Sequence, residues 1–241
     1  MKAMIFAAGK GTRLQPLSNN IPKALVKIDG IPMIEYQIKK LISFGFNEII
    51  INISHFADQI IEFIKKKNNF NIHISFSHEQ DELLDTGGGL KKASWFFNDN
   101  KPFLVHNVDP LCNINLKQLY DFHLNLRPLA TLAVKNRPTS RFLVFNSDNI
   151  LCGWEFPAEN KKIVAREFEQ GSYRIAFSCM QILDPEILSL IEEDGAFSLT
   201  NLYLRLAIDN DIFAYKHNED YWFDMGTSEN LKIAEDFLKN N

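Results

Sequence analysis

Cysteine is scarce in this chain: three residues in 241, Cys112, Cys152 and Cys179, widely spaced and with no CxxC pair. An odd number at that spacing supports neither a disulfide framework nor a thiolate zinc site, and it fits a reducing compartment. Positive charge is not in excess either. Lys and Arg number 26 against 30 Asp and Glu, a formal net charge of −4, and no basic block follows the pattern of a phosphate-tracking surface, which argues against nucleic acid as a partner. No apolar run approaches the ~18 residues that a membrane span requires, and the opening MKAMIFAAGKG is too short for a signal segment with its cleavage site. A cytoplasmic protein with no membrane partner is expected. The six histidines form no HExxH pattern and there is no GxSxG elbow, so zinc hydrolysis and serine acylation lack support. His106, in the apolar run FLVHNVD, is expected to be a core side chain.

What is present is alternation. Residues 3–8, AMIFAA, are an unbroken small-and-apolar run closed by Gly9, the pattern of a strand buried on both faces. IPMIEYQIKKLISFG then places Ile34, Ile38, Leu41 and Ile42 at helical spacing, with Pro32 in the first turn and Gly45 at the end. EIIINIS, ADQIIEFIKKK, NIHISFS, GGLKKASWFF and PFLVHNVD continue strand, helix, strand, helix, strand. That order predicts an α/β fold: a doubly wound, mostly parallel, Rossmann-like sheet flanked by helices. From about residue 129 strand-like runs crowd together (LATLAVK, RFLVFN, NILCGWEF, KKIVAREFE, SYRIAFSCMQIL), so added antiparallel strands are expected in the second half. Helices near PEILSLIEE and LTNLYLRLAI precede DIFAYKH, DYWFDMG and a last amphipathic helix, SENLKIAEDFLK. We expect one domain over 1–241, with a nucleotide-binding half at 1–128 and a sugar-phosphate half at 129–241.

The loop after the first strand, FAAGKGTRLQP, carries the chemistry. Gly9 and Gly11 let the backbone turn tightly and bring N–H groups close to an anion. Thr12 and Arg13 add a hydroxyl and a guanidinium fork suited to phosphate oxygens. A dinucleotide fingerprint would need glycine at 14, which is Leu, and a P-loop would need Lys-Ser/Thr after Gly11; neither fits. Lys23, stiffened by Pro22, can bring a second cation to the same loop.

FAAGKGTRLQPLSNNIPKAL with IDGIPMIEYQI resembles the amino-terminal signature of the sugar-1-phosphate nucleotidyltransferases, without a gap over about thirty positions. The resemblance continues through LLDTGGGL, FLVHNVDPL and YWFDMGTSENL. It implies an enzyme that joins a nucleoside triphosphate to a sugar 1-phosphate by in-line displacement at the α-phosphorus, with pyrophosphate as leaving group. Positioning and charge neutralisation supply the rate in such chemistry. Carried over by motif, Arg13 steadies the phosphates and the leaving pyrophosphate, Lys23 bridges toward the α-phosphate, and Ala7, Ala8, Gly9, Gly11 and Thr12 line the nucleotide. Asp109 and Asp224 are the implied Mg²⁺ ligands, a hard-oxygen pair of the kind magnesium prefers. Asp109 is also counted with Arg13 and Lys23 among the implied catalytic residues. One departure is visible: Val108 stands where the family usually has glycine.

Base and sugar are less legible. Residues 79–89, EQDELLDTGGG, are expected to form a loop that begins the third helix, near the base pocket, with Glu79, Thr86 and Gly87 as nucleotide contacts. LLDTGGGL resembles the N-acetylmuramate 1-phosphate uridylyltransferase branch, which favours UTP; mannose 1-phosphate guanylyltransferases and phosphocholine cytidylyltransferases remain alternatives. The family's Glu-Lys-Pro segment is absent, replaced by VAREFEQG, so Asn107, Glu167 and Asn201 are the sugar-contact candidates. From a different class, a regulatory module that binds nucleotide sugar without turnover would need neither both cations nor both carboxylates. Oligomeric state is not legible.

Overall fold

In the computed structural model, which describes residues 1–80 and 82–240, the first apolar run becomes β1 (Lys2–Phe6), buried along its whole length. Asp81, within the 79–89 segment, and Asn241 lie outside the described residues. The chain continues through β2 (Lys27–Ile28), β3 (Ile31–Pro32), α1 (Met33–Ser43), β4 (Glu48–Ile53), α2 (Ala57–Lys66), β5 (His73–His78) and α3 (Asp85–Ala93). Then come β6 (Phe103–Asn107), β7 (Pro110–Cys112), α4 (Leu116–Leu126), β8 (Ala130–Lys135), β9 (Phe142–Phe145), β10 (Leu151–Phe156) and β11 (Lys161–Val164). The rest is β12 (Tyr173–Leu183), α5 (Glu186–Ser189), α6 (Leu199–Leu206), β13 (Ile212–Lys216), β14 (Trp222–Asp224) and α7 (Ser228–Asn240).

Two compact units emerge, and neither is a simple half of the chain. The first gathers Met1–Leu84, Val105–Asn113 and Tyr221–Asn241; the second gathers Asp85–Leu104 and Ile114–Asp220. The chain passes between the units after Leu84, Leu104, Asn113 and Asp220, and β14, pairing antiparallel with β7, returns the end of the chain to the first unit.

In the first unit the strands lie in the order β6, β1, β4, β5. β1 runs parallel to β4, from Lys2 opposite Glu48 to Phe6 opposite Asn52, and β4 runs parallel to β5. This is the parallel arrangement that the strand–helix alternation predicts. α1 buries Ile34, Ile38 and Leu41, as its spacing requires, but begins one residue after Pro32, which caps it from an extended conformation. Gly45, at φ 84, ends it. Asp29 and Gly30, both at positive φ, make the two-residue turn that joins β2 to β3, the chemistry of a tight hairpin.

The second unit is mixed. β8 pairs antiparallel with β12 and parallel with β13, while β9, β10 and β11 extend antiparallel from β12. The crowded strand-like runs after residue 129 thus form the antiparallel strands expected of them. Three departures are instructive. α4 lies in a stretch, NLKQLYDFHLNL, whose apolar positions are interrupted by His123 and Asn125; Asn115 caps it by accepting from Gln118 N. α3 begins at Asp85, ahead of the GGLKKASWFF run, so Gly87 joins Gly88 and Gly89 inside the helix. PEILSLIEE yields only the single turn of α5.

Candidate active site

Four charged side chains meet in the first unit. Gly11 takes φ 66, ψ 25, the left-handed conformation that glycine adopts at no steric cost, and so reverses the chain into a 3₁₀ turn at Thr12–Leu14. A Cβ here would come within 2.9 Å of the Lys23 Cβ, so the absence of a side chain at 11 admits Lys23 to the loop. Ser18 Oγ fastens the turn by donating to Gly11 O at 2.7 Å. Lys23 opens its own 3₁₀ turn, capped by Pro22 in an extended conformation. Its Nζ lies 2.5 Å from Asp109 Oδ2, and both side chains are only 14% exposed.

Asp109 follows β6, on the carboxyl side of the strand beside β1. Val108 is 3% exposed; its N–H donates to Phe6 O at 3.1 Å, and its carbonyl accepts from Gln37 Nε2 at 3.2 Å. Its backbone is not left-handed, so valine in place of the family's glycine is a packing choice here and leaves Asp109 in place. The β7–β14 ladder sets Asp224 opposite Pro110, and Met225 N donates to Asp109 O at 3.0 Å. Two aspartates remote in sequence are thereby brought to adjacent stretches of backbone. Asp224 Oδ1 accepts from Gly226 N at 2.9 Å, and Asp224 Oδ2 faces Arg13 Nη1 at 3.9 Å. A Cβ at Gly226 would stand 2.7 Å from Asp224 Oδ1 and 2.8 Å from Arg13 Nη2, so a side chain here would displace the ends of these two charged groups.

The charges balance as two cations against two carboxylates. Among the described residues no group of three His, Cys, Asp or Glu side chains could hold a metal ion. A divalent ion held by Asp109 and Asp224 would have to complete its shell from substrate phosphate and water, which suits magnesium, a hard cation that retains waters and takes one or two carboxylates. The donor set fits. His106 does not join it: the ring is 3% exposed and its Nδ1 lies 2.6 Å from Asn107 O. Burial pushes its pKa down to about 4, against the pull of the Asn107 carbonyl. It is a neutral core imidazole, as expected.

The remaining candidates separate into those that are engaged and those that are open. Gly9 is exposed, and a Cβ there would meet nothing within 4 Å. The N–H groups of Ala7 and Ala8 both donate to Asn52 Oδ1, at 2.7 and 3.3 Å, so neither amide faces a ligand. Glu79 is 2% exposed and bonded to Asn52 and Leu84 N. Asn107, half-buried at the end of β6, stands two residues from Asp109.

Thr86, Gly87, Glu167 and Asn201 belong to the second unit. Thr86 Oγ1 accepts from Leu199 N at 2.9 Å, and Gly87 N donates to Phe197 O at 2.8 Å. A Cβ on Gly87 would overlap the Phe197 ring at 2.2 Å, so this glycine serves close packing. Glu167 and Asn201 are exposed. Their neighbour Arg166 is structural: its guanidinium donates to Ala207 O, Asn210 O and Asp211. A series that imitates a nucleophile, base and carboxylate also occurs, with Ser178 Oγ 2.7 Å from His217 Nε2 and His217 Nδ1 3.4 Å from Asp220. Ser178 is fully buried, which denies it a substrate.

Sequence reasoning missed Asn52, although a lone amide amid Ile49, Ile50, Ile51 and Ile53 was a usable signal. A polar side chain in an otherwise apolar, doubly covered strand needs a partner.

The nucleotidyl transferase family profile matches residues 2–241. Among curated proteins, a UTP–glucose-1-phosphate uridylyltransferase of Synechocystis sp. is 31% identical, over 94% of this chain and 60% of its own length. A mannose-1-phosphate guanyltransferase of Saccharomyces cerevisiae is also 31% identical, over 94% of this chain and 61% of its own. The chain thus spans about three fifths of the length of the curated relatives it matches. Among solved structures, HddC from Yersinia pseudotuberculosis complexed with GMP-PN superposes with a TM-score of 0.77 at 26% identity, covering 98% of this chain and 99% of that one. A putative glucose-1-phosphate thymidylyltransferase from Bacillus anthracis shares the fold, with a TM-score of 0.81 at 17% identity over 100% and 96% of the two chains.

Proposed function

This chain belongs to the nucleotidyl transferase family, and from that premise we propose that it transfers a nucleotidyl group from a nucleoside triphosphate to a sugar 1-phosphate, releasing pyrophosphate. The observation that carries the reading is the meeting of Lys23 with Asp109, and of Arg13 with Asp224, beside the loop at Gly9–Gly11. A site that only held a finished nucleotide sugar would have no leaving pyrophosphate to stabilise.

In the reaction an oxygen of the sugar phosphate forms a bond to the α-phosphorus while the bond from α-phosphorus to the bridging oxygen breaks, and pyrophosphate departs with that electron pair. Lys23, on its stiff turn, supplies a cation to the α-phosphate oxygens and to the incoming phosphate. Arg13, with a side chain 64% exposed, can swing its fork onto the outer phosphates and follow the negative charge as it moves to the leaving group. Magnesium, held by Asp109 and Asp224, would neutralise phosphate charge at the reacting centre. Gly9 leaves room for phosphate against the backbone. Asn107 is the first-unit candidate for a sugar contact, with Glu167 and Asn201 in the second unit.

For the base, the TGGG segment favours UTP, paired with N-acetylmuramate 1-phosphate or a related sugar 1-phosphate as a cell-wall precursor step. A second reading, GTP with a mannose-type 1-phosphate, is favoured by the guanyltransferase relatives and by the packing role of Gly87 against Phe197, which weakens a base-contact role for that glycine. None of the three cysteines forms a disulfide, and among the described residues no helix is long and apolar enough to cross a membrane.

The test is pyrophosphate release with Mg²⁺ over a grid of UTP, GTP, CTP, ATP and dTTP against N-acetylmuramate, N-acetylglucosamine, mannose and glucose 1-phosphates and phosphocholine. Release confined to one pair, and abolished by EDTA, is the expected result. Nucleotide binding with no release across the grid would overturn transfer in favour of a regulatory module.

A further inference from the structure

Asn52 and Glu79 are the buried polar pair of the first unit, 3% and 2% exposed. Burying an amide against a carboxylate costs free energy unless every polar atom finds a partner. Here they do. Asn52 Oδ1 accepts from Ala7 N and Ala8 N, and Asn52 Nδ2 donates to Glu79 Oε1 at 2.7 Å. Glu79 Oε2 accepts from Leu84 N at 3.0 Å, and Glu79 N donates to Ile53 O at 2.8 Å.

The position of this relay matters. The parallel ladder between β1 and β4 ends at the pair Phe6 and Asn52. Beyond that point the Asn52 side chain takes over from the backbone, satisfying the next two N–H groups of the departing chain. β1 can then leave the sheet without orphaned donors, and the direction in which it leaves is set by one carboxamide. Glu79 in turn orients that carboxamide, since only its acceptor oxygen can face the Asn52 NH₂, and the same carboxylate anchors the chain at Leu84.

We propose that Asn52 and Glu79 are positioning residues for the triphosphate: their relay fixes where the Gly9–Thr12 loop departs from β1 and so where its backbone meets the phosphates. The proposal rests on the nucleotidyl-transfer reading. It also reassigns Glu79, which the sequence suggested as a nucleotide contact, because both of its oxygens are engaged within the protein.

The relay has a defined polarity, and that polarity can be reversed. Glutamine at 79 offers one acceptor where two are needed, so its amide must face a donor, either Asn52 Nδ2 or Leu84 N. Aspartate at 52 sets two carboxylates against each other. In the double substitution the pattern is complementary again: the new carboxylate at 52 accepts from Ala7, Ala8 and the amide at 79, whose oxygen accepts from Leu84 N.

The experiment compares wild type, Glu79→Gln, Asn52→Asp and the double variant. It combines calorimetric binding of α,β-methylene UTP and α,β-methylene GTP in the presence of Mg²⁺ with steady-state KM for both substrates and with thermal unfolding. Each single substitution should weaken binding of the analogue preferred by wild type by about tenfold or more, the scale of one lost hydrogen bond to a charged group. KM for the sugar 1-phosphate should stay within about twofold, and the double variant should recover most of the lost affinity. Equal analogue affinity in all four proteins would overturn the proposal. So would a fall in kcat alone with both KM values unchanged, the mark of a merely structural loss, or a double variant as weak as the sum of the singles. Absence of binding by wild type itself would remove the nucleotidyl-transfer reading, and the relay's role with it.

Discussion

Replacing Lys23 by methionine keeps the length of the side chain and removes its charge. The ion pair with Asp109 spans 2.5 Å with both side chains 14% exposed, and at an effective dielectric of about 20 its gross attraction is about 7 kcal/mol. Desolvation offsets much of that. What the variant leaves behind is a mostly buried carboxylate without its cation, a loss of about 2–4 kcal/mol, or on the order of 10 °C in Tm for a chain of this size. Arg13→Met should behave differently. Its guanidinium is 64% exposed and 3.9 Å from Asp224, so its removal should cost about 0–0.5 kcal/mol of stability. Both variants should lose about a hundredfold or more in turnover, since each removes a cation from the charge that develops on the phosphates. Asp109 Oδ2 is also released in Lys23→Met, so Mn²⁺ added without nucleotide should bind more tightly than to wild type. Pairing Lys23→Met with Asp109→Asn should restore stability while activity stays lost. The assays are urea unfolding at pH 7 without metal, Mn²⁺ titration and pyrophosphate release. A Lys23→Met protein that unfolds at the wild-type midpoint, or an Arg13→Met protein destabilised just as much, would refute the account.

Local patterns carried the parts of this site that local chemistry determines. A run of buried residues ending in glycine announces β1 and its loop, because a parallel strand needs apolar side chains on both faces and the turn at Gly11 needs a left-handed backbone. Asp109 was legible for a similar reason, as the first carboxylate beyond an apolar strand. Its pairing with Asp224 was carried by motif resemblance; the physical cause, the β7–β14 ladder, joins residues more than a hundred positions apart and has no local signature. α3 shows the opposite failure. Its first turn reads as loop because three consecutive glycines each cost roughly 1 kcal/mol of helix propensity relative to alanine. At Gly87 the absence of a side chain is required by packing, since the ring of Phe197 occupies the space where a Cβ would stand. At Glu79 the sequence suggested a nucleotide contact, and only the fold reveals that Asn52 and Leu84 engage its oxygens.

Gly11→Ala forces φ 66 on a residue with a Cβ and presses that atom to 2.9 Å from Lys23, so a loss of about 1–3 kcal/mol should accompany lower turnover; Gly9→Ala, with nothing within 4 Å, should unfold like wild type and weaken only nucleotide binding. Burial pushes the pKa of His123 down to about 4 against the opposing charge of Asp184. The unfolded chain therefore binds the extra proton between about pH 6.5 and 4, and stability should fall through that window as pH drops, by about 3 kcal/mol for this group; a His123→Gln protein with an equally steep acid limb in urea titrations would contradict this. Val108→Gly tests whether the family's glycine matters to the carboxylates. The valine side chain is 3% exposed, and its N–H and carbonyl are already held by Phe6 and Gln37. Removing it leaves a void and adds backbone entropy to the unfolded chain, together about 2–4 kcal/mol of lost stability. Because those backbone bonds persist without the side chain, Asp109 should keep its place, and KM for the triphosphate and Mn²⁺ affinity should stay within about twofold of wild type, well under the tenfold that 1.4 kcal/mol would produce. A gain in metal affinity or turnover on making this change would mean that valine strains the carboxylate at 109, and that the ordinary backbone seen at 108 is not the one the reaction uses.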